Sequence, residues 1–165
     1  MRSGRRKGRG SSAEGGEDMP KASNRSKVLS RREADELFRR ANDQWDHGKI
    51  RSAFRLFLSG AKAGDPGAEN DLGYFYDTGT AVKRNRQQAV YWYKRAYRHG
   101  NAAGASNIGT ILRDEGKTGQ ALLWFQRAIK LGDADSNLEV AKILQQKKGQ
   151  TAKAITYLRR VTKAW

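Results

Sequence analysis

Residues 71–100 read DLGYFYDTGTAVKRNRQQAVYWYKRAYRHG, and the spacing in their second half returns elsewhere in the chain. Ala89-x-x-Trp92-Tyr93-x-x-Ala96-x-x-x-Gly100 matches Ala121-x-x-Trp124-Phe125-x-x-Ala128-x-x-x-Gly132 position for position. Ala53-x-x-Leu56-Phe57-x-x-Gly60-x-x-x-Gly64 repeats it upstream, and Ala154, Leu158 and Val161 repeat it downstream, at offsets of 36, 32 and 33 residues. The preceding segments match as well: Leu72-Gly73-x-Phe75-Tyr76, Ile108-Gly109-x-Ile111-Leu112 and Val140-Ala141-x-Ile143-Leu144. Two helices per unit at such a period predict a helical solenoid, in which each unit buries its neighbour's apolar face. Small residues such as Gly73, Ala89, Gly109 and Ala121 let two helices approach, and Tyr76, Tyr93 and Phe125 fill the space between them.

The punctuation agrees. Ser30-Arg-Arg-Glu33 is a capping box, and Leu37, Ala41 and Trp45 follow it at helical spacing as far as Gly48. Gly64-Asp65-Pro66 closes one helix and opens the next, with Asp65 as N-cap and Pro66 in the first turn. Asn85, Asn101, Thr118, Asp133 and Thr151 are the later candidate N-caps, and Gly79, Gly100, Gly116, Gly132 and Gly149 the stops. These signals predict eight helices of roughly 11–16 residues, and no stretch alternates as a strand would.

Ala68-x-x-x-Leu72-Gly73-x-x-Tyr76-x-x-Gly79-x-Ala81-Val82, followed by the Ala89–Gly100 pattern, resembles a Sel-one-like repeat, a variant of the tetratricopeptide repeat with a longer loop between its helices. The likeness is close over 67–100, where TGTAVKRNR supplies the loop. It is looser over 103–132 and degenerate over 34–66 and 135–165, about four-fifths of the chain in all. The resemblance implies an interaction scaffold and no enzyme. The expected fold is all-α, a right-handed solenoid of about four helix-turn-helix units (31–64, 66–100, 102–132 and 134–165) within a repeat domain of residues 30–165.

Residues 1–29 are rich in Arg, Lys, Gly and Ser, with almost no apolar residues, and read as a disordered basic arm. The chain carries a net charge of +16, and residues 1–32 hold ten Lys/Arg against Glu14, Glu17 and Asp18. There is no acid between Asp77 and Asp114 and none after Glu139. Such a balance attracts nucleic acid, an anionic membrane or an acidic protein without choosing among them. With no Cys in the chain, disulfides, thiolate metal sites and Cys nucleophiles are excluded. The basic N-terminus lacks an apolar stretch behind it, and AVYWY and ALLWF are too short to span a bilayer, so the expectation is a cytoplasmic protein without a membrane role.

No catalytic, metal or cofactor site is expected. Gly116-Lys117-Thr118 lacks the glycine and the strand that a phosphate-binding loop requires. His47 and His99 sit near helix ends, where capping is their ordinary role. Asp114-Glu115 and Asp133-x-Asp135 have no nucleophile and base beside them. Tyr93 and Phe125 fall on the packing stripe, whereas Trp92 and Trp124, one position away, are expected to be partly exposed.

Two functions are expected from the surface. In the first, the first helix of each pair lines a concave face that binds a peptide or protein surface through Asn70, Tyr74, Asp77, Ser106, Thr110, Arg113, Lys142 and Gln145. In the alternative, nucleic acid is bound without sequence preference by Arg2, Arg5, Arg6, Lys7 and Arg9 of the arm and by Lys83, Arg84 and Arg86 on the convex side. The last helix carries Ile155, Tyr157 and Trp165 beyond its inward Ala154, Leu158 and Val161. These three are expected either to fold back over the preceding unit or to support a weak homodimer.

Overall fold

The computed structural model describes residues 29–162, which form eight α-helices and no strand. They are α1 (Arg31–Asp46), α2 (Ile50–Lys62), α3 (Pro66–Thr78), α4 (Arg86–Arg98), α5 (Ala102–Asp114), α6 (Thr118–Lys130), α7 (Ser136–Gln145) and α8 (Thr151–Thr162). Residues 1–28 of the basic arm, with its arginines and Lys7, lie outside the described residues, as does Trp165.

Each helix packs chiefly on the helices before and after it in the chain, so the core is three apolar clusters strung along the array. Contacts that skip one helix sort the eight into two rows. Trp45 meets Tyr74 with ring centroids 5.9 Å apart, Asn107 donates to Asn70 at 3.0 Å, and Arg113 pairs with Glu139. These join α1, α3, α5 and α7. Arg95 of α4 reaches the Ala61 carbonyl of α2 at 3.3 Å, Tyr97 meets Trp124 of α6, and Gln126 donates to the Tyr157 hydroxyl of α8 at 3.2 Å. These join the second helices.

Small residues set the approach of the helices. A Cβ built on Gly73 would lie 2.6 Å from the Tyr93 ring, and one on Gly109 would lie 2.8 Å from the Phe125 ring. Tyr93 and Phe125 are accordingly buried, and Ala89 and Ala121 are fully enclosed. Trp92 departs from its expected partial exposure and is buried. It joins the cluster that holds Phe57 and Ala61 of the preceding unit, with the Arg95 guanidinium 5.0 Å above its ring. Neighbouring units thus claim a position that one helix alone would leave open. Trp124 is half-buried, as expected, under Arg127 at 4.4 Å.

The capping box at Ser30 forms, and the Asp65, Asn85 and Asn101 side chains accept first-turn amides of α3, α4 and α5. Three expected N-caps do not serve. Thr118 and Thr151 are the first helical residues of α6 and α8. Lys117 occupies the cap of α6, where its N–H is drawn back to the Leu112 carbonyl at 2.8 Å, and its ammonium, having no acceptor, makes no side-chain cap bond. Asp133 stands two residues too early: Asn137 and Leu138 first bond to the carbonyls of Ala134 and Asp135, which delays α7 to Ser136. The seven glycines at the helix stops, Gly48 to Gly149, all have positive φ.

The long α3–α4 loop is fastened from both sides. Gly79 closes α3 at φ 79°, a conformation that costs a residue with a Cβ about 1–2 kcal/mol. Asn85 N–H donates to the Tyr76 carbonyl at 2.8 Å, and Arg84 Nε donates to the Asp77 carbonyl at 2.7 Å. At the far end Ala154 is buried, Leu158 is half-buried, and Tyr157 lies back on α6 under Arg160. Ile155 stays exposed.

The two rows differ in charge. Helices α2, α4, α6 and α8 contain no Asp or Glu, whereas α3 carries Glu69, Asp71 and Asp77 and no Lys or Arg.

Candidate protein-binding face of the first helices

The positions expected to meet a partner sit on the first-helix row, and the structure treats them unequally. Tyr74 is 45% exposed, its ring edge-on to Trp45. Lys142 and Gln145 are exposed on α7, with Lys142 Nζ bonded to Glu139 at 2.8 Å. Ser106 and Thr110 line a groove of about 570 Å³ between α5 and α7, whose other walls include Leu131, Leu138, Asp133, Asp135 and Glu139. Asn70 is part of an internal chain: it accepts from Asn107 and donates to Asp71 at 3.4 Å.

Asp77 and Arg113 are engaged within the fold. Asp77 lies 3.9 Å from both Arg84 and Arg86, and Arg113 pairs with Asp114 and Glu139. Arg86, the first residue of α4, also reaches Glu115 at 3.3 Å, which ties the start of α4 to the end of α5, while Lys83 on the loop is exposed. The two histidines differ. His47 contacts the Asp43 carbonyl at 2.8 Å, as a C-terminal cap does, while His99 reaches Glu69 Oε2 at 2.8 Å. Glu69 is fully buried and meets Arg95 at 2.8 Å on its other oxygen.

A second depression, of about 270 Å³, opens between α1 and α3 and is lined by Asn42, Trp45, Phe57, Asp71, Tyr74 and Phe75. Asp71 and Glu139 were not among the positions read from the sequence. Both stand two residues before the small packing residue of their helix, Gly73 and Ala141, with Asn107 equivalent before Gly109. That recurring polar position was the signal available. Glu139 is half-buried; burial pushes its carboxyl up, but hydrogen bonds from Lys142 and Arg113 prevail and hold it below the ordinary Glu value. Burial pushes the Asp71 carboxyl up to about 6, opposed by the Asn70 hydrogen bond and reinforced by the charge of Asp65.

With this geometry in place, the model of the Sel1 repeat matches residues 48–65, 66–101 and 107–133. The chain carries Sel1 repeats. Among solved structures, it is similar to a Sel1 repeat protein from Oxalobacter formigenes at TM-score 0.71 and 19% identity, covering 82% of this chain and 61% of that one. It is similar to c5321, a protective antigen of uropathogenic Escherichia coli with an SLR fold, at TM-score 0.69 and 23% identity, covering 80% of this chain and 31% of that one. MamA matches at TM-score 0.60 and 15% identity, covering 79% of this chain and 77% of MamA. The Sel1-repeat chain thus spans about three-fifths and one-third of the first two proteins, and these likenesses concern the fold. Comparison with curated proteins by sequence returns no match. Sel1 repeat proteins are generally protein-interaction scaffolds. No helix among the described residues is long and apolar enough to cross a membrane.

Proposed function

We propose that the chain is a non-enzymatic adaptor that holds a peptide or protein surface on its first-helix row. The observation that carries this reading is the α5–α7 groove. Ser106 and Thr110 offer hydroxyls there, Leu131 and Leu138 are exposed at 42% and 39%, and carboxylates stand at the rim. Apolar contact area ringed by hydrogen-bonding groups is the composition of a protein-binding surface. Tyr74, Lys142 and Gln145 extend it along the row. The test is the double variant Tyr74→Ala/Thr110→Lys, measured against a partner isolated from native cells. Affinity should fall at least tenfold with the helical circular dichroism unchanged; undiminished affinity would remove this face.

A second reading is favoured by the second-helix row, where Arg51, Arg55, Lys94, Arg98, Arg127 and Lys130 face no acid of their own helices. Cations so arranged suit a phosphate backbone, with salt-sensitive and sequence-independent affinity. Titration with random duplex and single-stranded DNA at two salt concentrations tests it, and no binding at the lower salt removes it.

A further inference from the structure

The repeat register lets the α1–α3 and α5–α7 seams be compared side chain by side chain. Ala41 of α1 precedes the buried Ala53 by the same twelve residues that separate Gly109 from Ala121. Ala41, Gly73, Gly109 and Ala141 therefore share one register position. Two residues before it stand Asp71 and Glu139, each on the later helix of its seam. Glu139 is satisfied by Arg113, four after the register position on the earlier helix, and by Lys142, one after it on its own helix. The matching residues around Asp71 are Trp45 and Tyr74. Both cations that neutralise the one carboxylate are replaced by aromatic rings at the other.

Asp71 consequently has no cation of its own. Its carboxylate accepts from the Asn70 amide at 3.4 Å, and no Lys, Arg or His among the described residues pairs with it. It stands at a cavity of about 270 Å³ walled by Trp45, Tyr74, Phe57 and Phe75. Trp45 and Phe75 meet edge to face at 5.0 Å. A carboxylate at a cavity lined by aromatic rings has the composition that recognises a cation, through an ion pair with the carboxylate and the ring quadrupoles. A half-buried carboxylate with no cation partner, in a chain of net charge +16, marks where a cation is supplied from outside.

We propose that the α1–α3 seam binds a lysine or arginine side chain of the protein partner, with Asp71 as counter-ion and Trp45 and Tyr74 as cation-facing walls. This rests on the reading of the first-helix row as the protein-binding face and names the chemistry that face selects. Tyr74, the exposed wall, lies on the same helix face as Asp71, three residues on, so a chain crossing α3 passes both.

The full chain, labelled at its tryptophan indoles, is titrated by NMR with acetyl-Gly-Ser-Lys-Ser-Gly-amide and with its arginine, norleucine and glutamate counterparts. Trp45→Phe identifies the Trp45 signal. The lysine or arginine peptide should move that signal saturably, the norleucine and glutamate peptides should not, and Asp71→Asn should weaken the binding at least fivefold. Equal shifts with norleucine, or binding indifferent to Asp71→Asn, would overturn the proposal. So would a free-state Trp45 signal that already moves with salt in wild type but not in Asp71→Asn, since the chain's own basic residues would then occupy the seam. The titration uses no native partner, so it can fail while the Tyr74→Ala/Thr110→Lys variant still loses that partner, and the reverse.

Discussion

A Cβ on Gly109 would lie 2.8 Å from the ring of the buried Phe125, closer than packed carbons approach. Gly119, on the exposed start of α6, has open space at the same construction. The two glycines should therefore answer the same substitution with opposite signs. Gly109→Ala should destabilise by about 1–3 kcal/mol through overpacking. Gly119→Ala should stabilise by about 0.5–1 kcal/mol through helix propensity and the unfolded chain. Thermal melts of the pair check this, and a shift in the same direction for both would break the assigned packing. Asp71 makes a second prediction. Its folded carboxyl is raised from 3.8 to about 6, so its favourable contribution is complete below about pH 4 and is lost as pH rises through about 6. Asp71→Asn should accordingly stabilise the fold by about 1–3 kcal/mol at pH 7.5, with the difference closing toward pH 4. Denaturation of wild type and variant at both pH values reads this directly.

At the scale of the helix, Glu69 couples α3 to α4. Its two oxygens meet Arg95 and His99, each at 2.8 Å, and Asn101 adds a bond to the Pro66 carbonyl at 3.1 Å. Glu69→Gln keeps the shape but removes the charge from a fully buried site beside Arg95, and should cost about 1–3 kcal/mol in urea denaturation. An unchanged midpoint would mean the two helices are held by packing alone. Helix starts were legible in the sequence where the cap acts locally, as at Ser30, Asp65, Asn85 and Asn101. They were not legible at Thr118 and Asp133, because the preceding turn draws the backbone of Lys117 and delays α7. Trp92 departs from expectation for a related reason: its exposure depends on what the preceding unit lays against it. The candidate face was legible as a register, yet the seam at Asp71 was not. One of the two missing cations belongs to a different helix from the carboxylate, so the sequence of α3 by itself does not show that Trp45 stands where Arg113 does.

The whole molecule sorts its charge by row, with every acid of the described residues on first helices and on the turns that flank them. An array of net positive charge thereby presents one row without acids and another where carboxylates and hydroxyls surround exposed rings and leucines. The central claim is that protein partners use the latter. The most direct measurement places a photo-crosslinking amino acid at Thr110, on the first-helix row, or at Leu123, 56% exposed on the second, and irradiates the purified complex with the native partner. Adducts from Thr110 and none from Leu123 are predicted; adducts from Leu123 with none from Thr110 would contradict the account.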